Sequence, residues 1–238
     1  MPKIRYQKDL QSEEFNPDPA QLLVVEHLHA LEQALLSKPA SKIGIAARVK
    51  TLFGKKEAPT HAIRGLYIYG TVGRGKTYLM DLFYDCLPPE EKMRMHFHRF
   101  MHETHHRLNQ VKNEKEPLQL VANHFRKRTR ILCLDELFVA DIGDAMLLSG
   151  LLTAMFESGI TLVTTSNCTP DNLYKDGLQR ERFEPFIELL KENIEVVELA
   201  AAQDYRLGHI KSLSTVYFSP LGKDSDKFMH EAFKELTN

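Results

Sequence analysis

The sequence predicts an α/β fold with a parallel five-stranded sheet, and three observations predict it. From Gly65 onward, short apolar runs alternate with segments of helical periodicity, the pattern of strands joined by helical crossovers. Gly70-Thr71-Val72-Gly73-Arg74-Gly75-Lys76-Thr77 matches GxxxxGK(S/T) directly after one run and directly before a helical segment. Asp135 and Glu136 close a later run, at the strand end where open α/β sheets bind ligands. A P-loop NTPase core is expected, with a helical segment before it and a small appendage after it.

Asn16-Pro17-Asp18-Pro19 breaks the chain, and Val25, Leu28, Leu31 and Leu35 then recur at helical spacing, which predicts an N-terminal amphipathic helix. Lys38 to Arg64 mixes Pro, Gly and Lys. Ile45, Val49, Leu52 and Phe53 could form one short helical face there beside Lys42, Arg48, Lys50, Lys55 and Lys56. That stretch reads as a solvated connector, with a membrane or partner contact as the other reading.

Strands are expected at Leu66–Tyr69, Met93–Phe97, Ile131–Leu134, Ile160–Thr165 and Ile194–Leu199, all too short for buried helices and most rich in β-branched or aromatic residues. Helices are expected at Thr77–Leu87, Phe100–Val111, Leu118–Lys127, Asp141–Ser158 and Arg182–Lys191, with Pro88-Pro89 and Gly159 as stops. After Asp204-Tyr205-Arg206-Leu207 the alternation fades into an apolar run at Val216–Phe218 and a polar amphipathic helix near Ser225–Leu236. The expected division is 1–64 for the N-terminal segment and connector, 65–207 for the core, and 208–238 for the start of a C-terminal region.

With 238 residues and 43% hydrophobic content the chain can bury one substantial core, which excludes disorder as its main state. A formal net charge of -1 gives no global attraction to nucleic acid or anionic lipid, so no nucleic-acid partner is expected and membrane contact is at most peripheral. Cys86, Cys133 and Cys168 are odd in number and lack CxxC spacing, which indicates neither a disulfide framework nor a zinc knot. The start has no apolar signal core and no run approaches 18 apolar residues, so the chain reads as soluble, untargeted and cytoplasmic.

The glycines of Gly70–Thr77 let successive backbone N–H groups turn inward around phosphates, and the following helix adds its positive end. The cofactor expectation is ATP with Mg²⁺: Lys76 reaches the β and γ phosphates and Thr77 places its hydroxyl on magnesium. Arg74 has two readings, as part of the cradle or as a side chain projecting into solvent.

Asp135-Glu136 is a Walker B arrangement, in which Asp135 holds magnesium through its water shell and Glu136 orients or deprotonates the attacking water. Two such acids could instead cap a helix. Asn167 ends a further strand; in the topology with an extra strand between the Walker A and Walker B strands it sits beside the γ phosphate, at sensor 1, although an Asn before Pro170 also suits a turn. Arg180 and Arg182 follow, placed to reach a neighbouring subunit's γ phosphate as AAA+ arginine fingers do, or to form an exposed Arg/Glu surface. Arg182 is preferred because it directly precedes the last helix. A finger in trans implies a homo-oligomer.

His96, His98, His102, His105 and His106 suggest a metal cluster, but His96 and His98 are expected to alternate in a strand while the others fall in the next helix, so no metal is expected there. Arg126-Lys127-Arg128 and Arg130 suit a helix C-terminus better than a nucleic-acid patch. No NKxD follows the Walker B strand, so guanine specificity is not indicated.

GTVGRGKTYLMDLFY, His96-Phe-His-Arg-Phe-Met101, Leu134-Asp-Glu-Leu-Phe-Val139, Asp141-Ile, Asp144-Ala-Met-Leu-Leu148, Gly159-Ile-Thr-Leu-Val163, GLQRERF and Asp204-Tyr-Arg-Leu207 together resemble the ZapE-type cell-division ATPases and their mitochondrial relatives over most of the chain. The lack of an amphipathic presequence favours the bacterial branch. The resemblance implies an AAA+ ATPase that associates with the tubulin-like protein FtsZ at the division ring and reduces the stability of its polymers. It also implies that related chains continue beyond the position of Asn238. The alternatives are a quality-control ATPase acting on misfolded membrane proteins, and a nucleotide-switched adaptor with little turnover.

Overall fold

A computed structural model describes residues 1–11, 17–37, 63–200, 226, 227 and 230. Met1–Ala202 forms one compact unit and Gln203–Asn238 a second. In the second, Asp226, Lys227 and His230 are helical. The Val216–Phe218 run, most of the helix expected near Ser225–Leu236 and nearly all of the Lys38–Arg64 connector lie outside the described residues.

The first unit runs α1 (Pro2–Asp9), α2 (Pro19–Ser37), β1 (Gly65–Tyr69), α3 (Lys76–Cys86), β2 (Lys92–His96), α4 (Phe97–Val111), α5 (Pro117–Arg128), β3 (Ile131–Asp135), α6 (Ile142–Glu157), β4 (Thr161–Ser166), α7 (Glu184–Asn193) and β5 (Ile194–Glu198). Single 3₁₀ turns occupy Pro89–Glu91, Pro170–Asn172 and Arg180–Arg182. Every strand pairing is parallel and the order is β2-β3-β4-β1-β5. This is the expected parallel five-stranded P-loop NTPase core, with β4 between the strands that carry the two nucleotide motifs.

Side chains alternate across the sheet, as a period of two requires. Leu66, Ile68, Ile131, Cys133 and Val163 pack on one face against Val24, Val25 and Leu28 of α2 and Leu79, Met80 and Phe83 of α3. Tyr67, Leu132, Leu134 and Leu162 pack on the other with Phe100, Phe125, Leu148 and Ile187 from α4 to α7. Strands covered on both faces read as the continuous apolar runs seen in the sequence.

The helix α1 was not expected. It is polar, but Tyr6 is buried, Arg5 bonds Asp85 at 2.6 Å, and Tyr78 donates to Asp9 at 2.7 Å, so tertiary partners on α3 hold a segment whose own pattern is weak. The second strand ends one residue early. His96 is the extended cap and Phe97 starts α4, because Phe97, Phe100, Met101 and Thr104 bury at helical spacing. His98 is therefore an exposed helical residue and does not alternate with His96 in a strand. Similarly, the last helix begins at Glu184 with Pro185 in its first turn, and Arg182 lies in the 3₁₀ turn before it.

Cys133 lies wholly inside β3, where burial pushes its thiol up to about 12. At pH 8 it carries essentially no thiolate, the reactive form. Iodoacetamide should therefore modify no more than Cys86 and Cys168 in the native protein, with Cys133 modified only in denaturant. Peptide mass mapping checks this, and native-state labelling of Cys133 would contradict the packing of β3.

Candidate functional site

The loop between β1 and α3 leaves the ladder at Gly70, whose N–H donates to the Ser166 carbonyl at 3.3 Å. Gly73 and Gly75 both take φ +83°, the left-handed region that glycine enters without steric cost. A Cβ on Gly75 would also lie 2.8 Å from the Gln21 amide nitrogen, so the loop is closed on its N-terminal side by α2. Lys76 folds over the loop, donating from Nζ to the carbonyls of Gly70 at 2.6 Å and Thr71 at 2.8 Å. Thr71, Val72 and Thr77 are exposed. A glycine turn that opens a helix, with a lysine arched across it, can hold an anion of phosphate size.

The Arg74 side chain is turned away from solvent, while its backbone stays within the loop. Its side chain is 2% exposed, and its Nη2 lies 2.6 Å from the Ala200 carbonyl and 3.4 Å from Asp18 Oδ2. The Gln21 amide meanwhile donates to the Arg74 carbonyl at 3.2 Å. The guanidinium therefore does not project into solvent; it is turned to the chain around the loop, where a buried charge can be paired.

Asp135 ends β3 and is 4% exposed. Glu136, immediately after it, is exposed and has φ +59°, which costs an L-residue about 1–2 kcal/mol. Its N–H donates to Thr165 Oγ1 at 3.0 Å and the Leu137 N–H to the Thr165 carbonyl at 2.8 Å, so β4 fixes this turn. Neither acid caps a helix: α6 starts later, capped by Asp141, whose Oδ1 accepts from the Asp144 N–H at 2.9 Å. Tyr69 pairs with Ser166 and Leu134 with Thr164. Continued by one residue, this register sets Gly70 beside Asn167 and Asp135 beside Thr165, so the cradle, Asn167 and the acidic pair share one edge.

Sequence reasoning missed Arg94. This residue of β2 aligns with Cys133 of β3, and its Nε donates to Asp135 Oδ2 at 2.7 Å and its Nη2 to Oδ1 at 3.3 Å. Its Nη1 bonds Asp81 of α3. Burial alone would lower the Arg94 pKa, but the bonds to Asp135 and Asp81 outweigh it and leave it raised. Arg94 stands in a strand that also carries Lys92 and His96, so no local signal set it apart.

Arg180 and Arg182 bond within their own segment. Arg180 donates to the carbonyls of Leu173 at 2.8 Å and Asp171 at 2.5 Å, and stands 3.7 Å from Glu184. Arg182 is exposed, and its guanidinium donates to the Gln179 side chain at 2.9 Å. The basic run forms the last turn of α5, with Arg126 donating to the Ser158 carbonyl and Arg128 to Glu103. Among the described residues, no group of three or more His, Cys, Asp and Glu is placed to hold a metal. None of the described helices is long and apolar enough to cross a membrane.

The chain is 46% identical over 239 residues to the cell division protein ZapE of Escherichia coli K12, covering 99% of this chain and 64% of that one. It is 37% identical over 193 residues to lactation elevated protein 1 homolog B of Danio rerio, covering 76% of this chain and 38% of that one. It thus spans about two thirds or less of the length of these curated relatives. A solved DNA replication initiation factor superposes with a TM-score of 0.55 at 14% identity, covering 94% of this chain and 62% of that one, a likeness of fold. The model of the AFG1-like ATPase family matches residues 1–238, and with the P-loop, the acidic strand end and the sheet order all in place the chain belongs to that family.

Proposed function

We propose that this chain binds ATP with magnesium at the C-terminal edge of its sheet, hydrolyses it, and so destabilises FtsZ polymers at the division ring. The sheet order carries the nucleotide reading: with β4 between β1 and β3, the cradle, Asn167 and the acidic pair leave three adjacent strands together. The division-ring reading rests on the likeness to ZapE.

The Gly70–Thr77 backbone and the start of α3 cradle the phosphates, and Lys76 exchanges the Gly70 and Thr71 carbonyls for β and γ phosphate oxygens. A hydroxyl and a carboxylate suit a hard cation, so Thr77 and Asp135 are the residues that would hold magnesium. When bound, the ion neutralises charge on the phosphates. Glu136 accepts the proton of the attacking water, and Asn167 orients that water against the γ phosphate. The positive φ of Glu136 fits this role, since such strain clusters at active sites. Arg182 acts across a subunit interface, because it is exposed while the Arg180 guanidinium is committed to its own backbone carbonyls.

Phosphate release measured with and without FtsZ polymers tests the function. Turnover should rise with polymer, and polymer mass should fall as ATP is consumed. Stimulation by a misfolded membrane protein instead would favour quality control, and ATP retention with negligible release would favour the switched adaptor. Either result would displace the division-ring reading.

Glu136 is tested in two ways. Glu136→Gln should retain ATP while turnover falls roughly 100-fold or more, through loss of the base. Glu136→Gly should also lose turnover but unfold at higher denaturant, a gain of about 1 kcal/mol, because glycine relieves the left-handed strain. Unchanged turnover in either variant removes Glu136 from the mechanism.

Assembly follows from a finger in trans, which makes the contact heterologous and generates a ring or an open helix. Lys76→Ala and Arg182→Ala should each be inactive, yet their mixture should recover part of the activity, since a mixed interface pairs an intact cradle with an intact finger. Mixed oligomers that form and stay inactive would rule out Arg182 as the finger.

A further inference from the structure

Arg94 has no part in the mechanism above, yet it bonds both oxygens of the carboxylate proposed to hold the cation. Its third nitrogen reaches Asp81, one helical turn beyond Thr77 and on the same face of α3. Arg94, 17% exposed, is thus the cation set between Asp81 and Asp135, with Thr77 one turn before Asp81 on α3. Two carboxylates and a hydroxyl are the ligand types that hard divalent cations take. A guanidinium among them halves the net negative charge of the acid pair and occupies the lone pairs that a metal or its waters would use.

We propose that Arg94 is a positioning residue that sets the cation affinity of this site: it holds Asp135 in a fixed pose and prevents Asp81 and Asp135 from retaining a divalent ion without nucleotide. The cation then enters with the phosphates, whose added negative charge outweighs the repulsion from Arg94. Empty subunits stay free of metal, and cation occupancy reports nucleotide occupancy. The inference rests on the reading of Asp135 as the cation residue.

Mn²⁺, visible by electron paramagnetic resonance, tests both. In nucleotide-free protein, Arg94→Met should bind one Mn²⁺ at least tenfold more tightly than the parent chain. Arg94→Gln, which keeps a donor for Asp135 and changes the packing less, should do the same, because charge is what differs. Arg94→Lys should stay close to the parent. Folding of each variant is verified by its thermal midpoint. Unchanged Mn²⁺ affinity in the folded Met or Gln variant overturns the proposal, and so does tightening in the Lys variant equal to that in Met. Asp135→Asn with ADP separates the two readings. Loss of its Mn²⁺ alongside unchanged Arg94 variants defeats only the role of Arg94, whereas nucleotide-dependent Mn²⁺ binding that survives in Asp135→Asn defeats the site assignment itself.

Discussion

The site depends on how β4 grips the end of β3. Where the backbone ladder stops, the β4 side chains continue it: Thr164 Oγ1 donates to the Leu134 carbonyl at 2.9 Å, Thr165 Oγ1 accepts from the Glu136 N–H at 3.0 Å, and Ser166 Oγ donates to the Leu137 carbonyl at 2.8 Å. All three hydroxyl residues are buried. Each bond contributes about 1 kcal/mol net, but a buried group left unpaired costs about 1–3 kcal/mol, so the set fixes one path for the chain. That path is the turn in which Glu136 adopts a positive φ. The strain at the proposed catalytic base is thus sustained by polar groups on the neighbouring strand, and the same strand also bonds the first residue of the cradle.

The N-terminal helices support the other side of the site. Asp18 and Gln21 approach the loop from the start of α2, one through the Arg74 guanidinium and the other through its carbonyl, while Tyr78 on α3 bonds Asp9 of α1. A buried ion pair is weak evidence for stability, because desolvation offsets most of the attraction. Its value here is geometric: with Arg74 held from two directions, Gly73 and Gly75 on either side of it have little freedom to leave their left-handed conformations. Displacing α2 would uncover one face of the sheet and release the cradle together.

Most of the fold was legible because strands buried on both faces leave a signature that local reading can find. The five strands fall within a residue or two of their expected limits, and the hydroxyl-rich end of β4 was recognised as strand for its β-branched residues. The cradle and the acidic pair were legible because their spacing is local. The misses share a cause in long-range pairing. Arg74 finds partners 56 and 126 residues away, and Arg94 finds one 41 residues away; nothing near either residue announces them. Helix α1 is held by side chains of α3, so its own periodicity was uninformative. His98 was assigned to a strand because alternation of His96 and His98 mimics a period of two, and the apolar spacing of Phe97, Phe100 and Met101 decided for helix.

These long-range partners also explain how the site can be rigid and yet exchange its contacts. Lys76 donates to the Gly70 and Thr71 carbonyls and Asp135 accepts from the Arg94 guanidinium, so these two groups, proposed to meet nucleotide and cation, are already positioned. For Lys76, trading carbonyl oxygens for phosphate oxygens sets its charge against an opposite one, with little reordering of the side chain. For Asp135 the exchange is less one-sided, since a full ion pair is a stronger competitor than a carbonyl. Phosphate binding can therefore proceed from a prepared cradle, whereas cation binding must overcome Arg94 and gains most when the phosphates are already present. The order of events at this edge is in this way built into the partners that each group holds beforehand.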